Sequence, residues 1–185
     1  MRNVFILFLF LGCISCKNET LPKPKAYLSL NYPKSTYKKL PIKRPYSFEI
    51  SKISMVKKAS NNWLKIKYPN LKASIDITYR KINNNLNELL VESEKLVFKH
   101  TLKAAEISSK DFENTENKVF GTIYEITGNS ASQIQFHATD SLHHFIKGSL
   151  YFYVKPNYDS IFPAVNYIKK DIVKLMETLR WKTEI

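Results

Sequence analysis

We expect the fold of this chain to be organised around the stretch of residues 130–160, SASQIQFHATDSLHHFIKGSLYFYVKPNYDS. Its first arm, 133–139, alternates polar and apolar side chains, which is the pattern of a strand with one face in water. Its second arm, 145–154, loses this alternation in its last half, where bulky side chains occupy both faces. We therefore predict a hairpin whose second strand lies in the centre of a sheet and is covered on both sides.

Further strands are predicted on both sides of the chain's midpoint. Apolar and polar residues alternate in 46–50, 64–68 and 75–80, and another strand is expected at 119–126. Asn61-Asn62 and Pro69-Asn70 supply turns between the early strands. Short turns favour antiparallel neighbours, so we expect an antiparallel sheet.

Two helices complete the predicted fold. The first begins with a segment that resembles a capping box, Asn85 to Glu88, and its apolar stripe runs to about Ala105. The second is the terminal helix, with Pro163 in its first turn. Its apolar residues step by three or four along one face: Phe162, Val165, Ile168, Ile172, Leu175 and Leu179. This order predicts an α+β fold, an antiparallel sheet flanked by helices as an α/β/α sandwich, similar by analogy to the PsbP and Mog1 sandwich.

The first residues have the pattern of a lipoprotein signal peptide, which we assign to residues 1–15. A short apolar run, too short to span a membrane, ends at small residues and cysteine. Either Cys13 or Cys16 follows a small residue and could carry lipid. Cys16 is favoured because the chain becomes polar and charged directly after it, whereas Ile14 prolongs the apolar run after Cys13. The alternative is an ordinary secretory signal in which both cysteines are incidental.

Residues 16–45 are expected to form a lipidated N-terminus and a tether rich in proline and lysine. Residues 26–37 within it are too apolar for a pure spacer, so we expect them to lie against the domain. The remaining residues, 46–185, are predicted to form a single α+β domain. A chain of 185 residues with 44% hydrophobic residues can bury the core that such a domain needs.

Several long runs of sequence resemble the GldD family of gliding-motility lipoproteins of Bacteroidota. They are LPKPKAYLSLNYP, NNWLKIKYP, IDITYRKINNN, FKHTLKA, QFHATDS, HFIKGSLYFYVKPNYDS and PAVNYIKKDIVKLMETLRWK, and they cover almost all of the chain after the signal. The resemblance implies a part in the gliding apparatus and its associated type IX secretion system, in the cell envelope. It implies no catalytic residue.

The histidines are the strongest candidates for chemistry. His137, His143 and His144 crowd around Asp140 at the hairpin turn, and His100 lies on the first helix. Such groups could bind zinc or act as a base. Neighbouring residues in a strand point to opposite faces, however, so His143 and His144 would not converge on one ion. We therefore predict no catalytic site, no metal and no cofactor.

The net charge of +13 requires an anionic partner or a solvated basic face. The signal peptide excludes nucleic acid as the expected partner and leaves lipid headgroups, lipopolysaccharide phosphates and acidic protein faces. We expect a non-enzymatic structural or assembly factor that contacts other gliding or type IX secretion envelope proteins. Its expected location is the outer membrane facing the periplasm, with the inner membrane and cell surface as alternatives. A second class is an envelope binding module for a glycan, lipid or peptide.

The predicted protein interface is the loop after the central strand, formed by Pro156, Asn157, Tyr158 and Asp159. It combines an aromatic side chain with polar groups and connects two rigid elements. The alternative is that these residues serve only as a turn between strand and helix.

Overall fold

The structure, a computed structural model, describes residues 31–99, 104–155 and 157–182. The expected signal peptide, Cys16 and the first part of the expected tether lie outside the described residues. Within these ranges the chain forms two α-helices, α1 (Leu86–Phe98) and α2 (Tyr158–Thr178), and a short 3-10 helix, Pro69–Leu71. The strands are β1 (Tyr37–Lys39), β2 (Tyr46–Ser47), β3 (Glu49–Ser51), β4 (Met55–Lys58), β5 (Leu64–Tyr68), β6 (Ala73–Lys81), β7 (Ala104–Asn114), β8 (Val119–Gly128), β9 (Ile134–Thr139), β10 (His144–Phe152) and β11 (Arg180–Trp181).

Seven strands make one antiparallel sheet in the order β4-β5-β6-β10-β9-β8-β7. The short strands pair separately, β1 with β3 and β11 with β2. The predicted α+β class and antiparallel sheet are therefore confirmed. The predicted central strand is also confirmed, since β10 occupies the fourth of the seven positions.

The two helices pack on opposite faces of the sheet. Ile146 and Leu150 of β10 belong to the main core together with Ile168 of α2. Phe145, whose side chain alternates to the other face, packs with Leu89 of α1. One face is thus covered by the long terminal helix and the other by α1.

Gly148 makes room for an aromatic ring at the middle of the sheet. It lies directly opposite Phe136 on β9. A Cβ atom at Gly148 would stand 2.2 Å from Cζ of the Phe136 ring. A glycine inside a strand often marks such a close approach, and here it lets the ring lie across the central strand.

The first predicted helix begins where the sequence placed it, directly after Asn85, but its predicted capping bond and its predicted end are wrong. Asn85 is the N-cap residue, but its side chain makes no capping bond to the helix and instead accepts a hydrogen bond from the amide of Asn83 at 2.9 Å. The helix ends at Phe98, and β7 begins at Ala104 where the sequence pattern predicted the helix end. β7 is an edge strand and is largely exposed, so its sequence carries no clear alternation, and pairing with β8 defines it.

The terminal helix begins earlier than predicted. It starts at Tyr158, which makes Pro163 the sixth helical residue instead of a first-turn residue. Proline has no backbone N–H, so it removes one helical hydrogen bond at that position. The Asn157 side chain, which accepts a hydrogen bond from the amide of Ser160, fixes the earlier start.

The described part of the expected tether, residues 31–45, contacts the rest of the chain. The rings of Tyr32 and Tyr167 stack with centroids 4.7 Å apart, and the Tyr167 hydroxyl donates to the carbonyl of Pro33 at 3.1 Å. β1 then adds to β3, and the Lys38 ammonium lies 3.5 Å from the carbonyl of Ser54. This segment therefore lies along α2 and close to the start of β4.

Asp171 is a buried carboxylate on the inward face of α2. It is 3% exposed, and its Oδ2 accepts a hydrogen bond from the Tyr68 hydroxyl at 3.0 Å. Its Oδ1 has no hydrogen-bond partner among the described residues. Burial raises the pKa of Asp171, and the hydrogen bond from Tyr68 only partly opposes this effect. The folded state therefore holds the proton more tightly than the unfolded chain.

The raised pKa of Asp171 predicts that ionising its carboxylate destabilises the folded protein, so that stability depends on pH. The pKa of an ordinary aspartate is 3.8, and that of folded Asp171 is higher. As the pH rises from 3.8 through the folded pKa, the wild-type free energy of unfolding should fall relative to that of Asp171→Asn. At pH values above the folded pKa, the difference between the two proteins should stay constant. Denaturant unfolding of both proteins across this range measures the difference. The control is Ile172→Ala, which should lose about 2 to 5 kcal/mol equally at every pH because it removes a buried side chain without a titrating group. A wild-type protein that gained stability over Asp171→Asn with rising pH would contradict the assignment.

Candidate functional site

The predicted interface loop has at least one structural role. Pro156 lies outside the described residues. Asn157 caps α2, and the amide of Tyr158 donates to Oδ1 of Asn129 at 2.9 Å. Asp159 is exposed in the first turn of α2, where the helix dipole favours a negative charge. The role of this loop in binding a partner stays a prediction.

Asp140 orders the turn between β9 and β10. Its Oδ1 accepts hydrogen bonds from the amides of Leu142, His143 and His144 at 3.0, 2.8 and 2.7 Å. Burial by itself would raise the pKa of Asp140, but these amides outweigh it, so the pKa lies below its ordinary value. The Asp140 carboxylate therefore stabilises the turn through these hydrogen bonds.

The three histidines near Asp140 occupy different surroundings. His143 is exposed, with its Nδ1 3.6 Å from the Asp140 carboxylate. His144 is buried, stacks on Trp181 at 5.2 Å, and its Nδ1 lies 2.9 Å from the Tyr79 hydroxyl.

His137 is buried on the α1 side of the sheet and stacks on Phe145 at 5.8 Å, and burial lowers its pKa. Among the described residues, no three histidine, cysteine, aspartate or glutamate side chains are grouped to hold a metal ion. His100 lies outside those residues.

A surface that the sequence did not predict lies at one end of the sheet, across β4, β5, the start of β6 and the end of β10. We call it the end patch and define it by Met55, Lys57, Lys67, Lys72 and Tyr153, which line an open groove of about 730 Å³. Met55 is 63% and Tyr153 57% exposed. Exposed apolar side chains ringed by positive charge are typical of a contact surface.

The aromatic side chain of the end patch is held in place. The Tyr153 hydroxyl lies 2.7 Å from the hydroxyl of Ser74 and accepts a hydrogen bond from the Lys65 ammonium at 3.1 Å. The Tyr153 amide donates to the carbonyl of Lys72 at 2.7 Å. Because the ring is already fixed, a partner would lose little side-chain entropy in burying it.

The lysines of the end patch carry uncompensated charge. No ion pair joins Lys57, Lys67 or Lys72 to a carboxylate among the residues that the structure describes. In contrast, Lys65 nearby is paired with Asp76 at 2.8 Å. The end patch is therefore complementary to an acidic surface.

Neither helix in the described ranges combines the length and apolar composition that crossing a membrane requires. A search of curated proteins gave no match. A family model described as gliding motility lipoprotein GldD matches residues 17–181, which is nearly the whole chain, and so the chain belongs to the GldD family of gliding-motility lipoproteins.

Proposed function

We propose that this protein is a lipid-anchored component of the cell envelope that serves the gliding machinery and its associated type IX secretion system as a non-enzymatic structural or assembly factor. The observation that carries the proposal is the end patch, where a fixed aromatic and an exposed methionine lie among unpaired lysines. Such a surface suits binding to an acidic face of another protein. The proposed partners are therefore other gliding or secretion proteins of the envelope.

The position of residues 32–38 supports a lipid-anchored protein whose end patch lies near the membrane. Residues 32–38 run along α2 and meet the start of β4 through Lys38 and Ser54, which brings the chain that leads from the anchor close to the end patch. Between Cys16 and residue 31 the chain can span at most about 50 Å. The domain would thus stay near its membrane, which we propose is the outer membrane on its periplasmic side.

The anchor itself is proposed to be Cys16. Replacing Cys16 with alanine should abolish labelling by a palmitate analogue and leave an unprocessed precursor, because the thiol is the acceptor of the lipid. Cys13→Ala is the matched control and should label normally. Labelling of Cys16→Ala at the wild-type level, with loss in Cys13→Ala, would move the anchor to Cys13.

The end patch predicts a specific defect in gliding. Met55→Glu places a carboxylate in the surface proposed to meet an acidic partner, so it should impair colony spreading and reduce recovery of envelope partners by about tenfold or more. The matched control is Leu142→Glu, since Leu142 is equally exposed at 64% but lies at the turn before β10. Abundance, lipidation and melting temperature should be unchanged in both.

Two results would contradict this assignment. One is normal spreading and partner recovery with Met55→Glu, and the other is an equal defect with Leu142→Glu. We also propose that the interface continues into the first turn of α2, at Tyr158 and Asp159, which follow Tyr153 in the chain. Asp159→Lys in the same assays tests this extension, and full spreading would remove this turn from the interface.

A further inference from the structure

The sheet face beneath α1 contains a partly open cavity, with apolar walls and a few polar side chains, that the proposed assembly role does not use. Apolar contacts hold the helix at both ends, through Leu89 on Phe145 and through Val97 on Tyr124. Between them lie two adjoining spaces of about 420 and 210 Å³, which share Trp63, Thr78 and Lys147 as lining residues. The helix therefore covers this face without filling it.

Hydrogen-bond donors converge on the larger space from two neighbouring strands. Gln135 of β9 and Ser149 of β10 are directly opposite each other, and both line it together with Lys147. Gln135 is only 3% exposed, yet its Nε2 has no hydrogen-bond partner among the described residues. Buried amide groups are rarely left without a partner, so this one indicates a missing acceptor.

The charges that line the two spaces sum to a single positive charge. Lys65 pairs with Asp76 at 2.8 Å, and Arg80 pairs with Glu92 at 3.5 Å. Lys147 remains, with no carboxylate within ion-pair distance among the residues that the structure describes. Burial lowers the pKa of Lys147, which reflects the cost of holding its charge away from water. An anion of charge −1 would neutralise the cavity, whereas a dianion would leave an excess negative charge.

The walls offer an apolar surface beside these donors. Trp63 and Leu96 line the larger space, and the Trp63 ring is fixed because its Nε1 donates to the carbonyl of Tyr79 at 3.0 Å. A ligand here would place its anionic group at Gln135, Lys147 and Ser149 and the rest of its body against these side chains. This combination of an apolar wall and a few convergent polar groups is typical of small-molecule sites.

We propose that the cavity between α1 and the sheet binds a small molecule that carries one carboxylate. The carboxylate accepts hydrogen bonds from Gln135, Lys147 and Ser149, and the body of the molecule packs against Trp63. The carboxylate can belong to a short peptide terminus or to a sugar acid, since both present the same charge and acceptors. This site is separate from the end patch and goes beyond the proposed assembly function.

The test uses the lipidated protein in detergent and isothermal titration calorimetry with four defined molecules. N-acetyl-dialanine with a free carboxylate is compared with its amide, and glucuronate is compared with glucose. At least one acid should bind, and it should bind at least about tenfold more tightly than its neutral counterpart, because a charge-assisted hydrogen bond is lost in the latter. The acid that binds identifies the source, peptide or sugar.

Variants locate the binding. Lys147→Met should weaken binding of the acid by about tenfold or more, since it removes the one unpaired charge among the described residues that line the cavity while keeping a similar side-chain length. Lys67→Met, which removes a lysine of the same sheet face at the end patch, should bind as wild type. If Lys147→Met fails to fold, Gln135→Glu serves instead, because its carboxylate would repel the ligand. Failure of both acids to bind, equal binding of acid and neutral forms, or wild-type binding by the folded cavity variant would overturn the proposal.

Discussion

The contact between α2 and the sheet is the interaction on which the rest of the structure depends. Ile168, Ile172 and Met176 of the helix are completely buried against a face that includes Ile146 and Leu150 of β10. Burying each such side chain contributes about 1.5 to 3 kcal/mol. Because successive side chains of a strand lie on opposite faces, the polar residues that alternate with these apolar ones lie on the other face of the sheet.

Those polar residues explain why the second face differs from the first. α1 contacts it through two small apolar clusters, and the space between them is lined by lysine, glutamine, serine and threonine side chains as well as by apolar ones such as Trp63 and Leu96. A polar face could not be closed by a tightly packed helix without leaving hydrogen-bonding groups unsatisfied. The difference between the apolar and the more polar face of the sheet thus explains the cavity beneath α1. The same polar face carries Lys57 and Lys67 at the end patch, where β4 forms the edge of the sheet.

The sequence predicted the elements whose pattern arises from burial. β10 was recognisable because residues on both faces are bulky, and α2 because its apolar residues recur at helical spacing. The edge strands β4 and β7 were missed because their residues are mostly exposed and their conformation is set by pairing with β5 and β8.

The candidate site was harder to predict than the fold. The end patch brings Met55 and Lys67, paired on the consecutive strands β4 and β5, together with Tyr153, which is distant in sequence and is placed beside them only by the order of the strands. Asp171 occupies an inward position of α2, and nothing in its spacing shows that Tyr68 donates a hydrogen bond to it. By contrast, the family resemblance lay in long contiguous runs, and the family match over residues 17–181 confirms it.

We propose that the protein acts in gliding by holding another envelope protein at the end patch. The most direct measurement is photo-crosslinking in gliding cells, with a photoreactive amino acid at position 55 and, in a second strain, at position 142. If the end patch holds such a partner, position 55 should give a discrete adduct with another envelope protein and position 142 should give none, in cells that still spread. No adduct from position 55, or the same adduct from both positions, would contradict it.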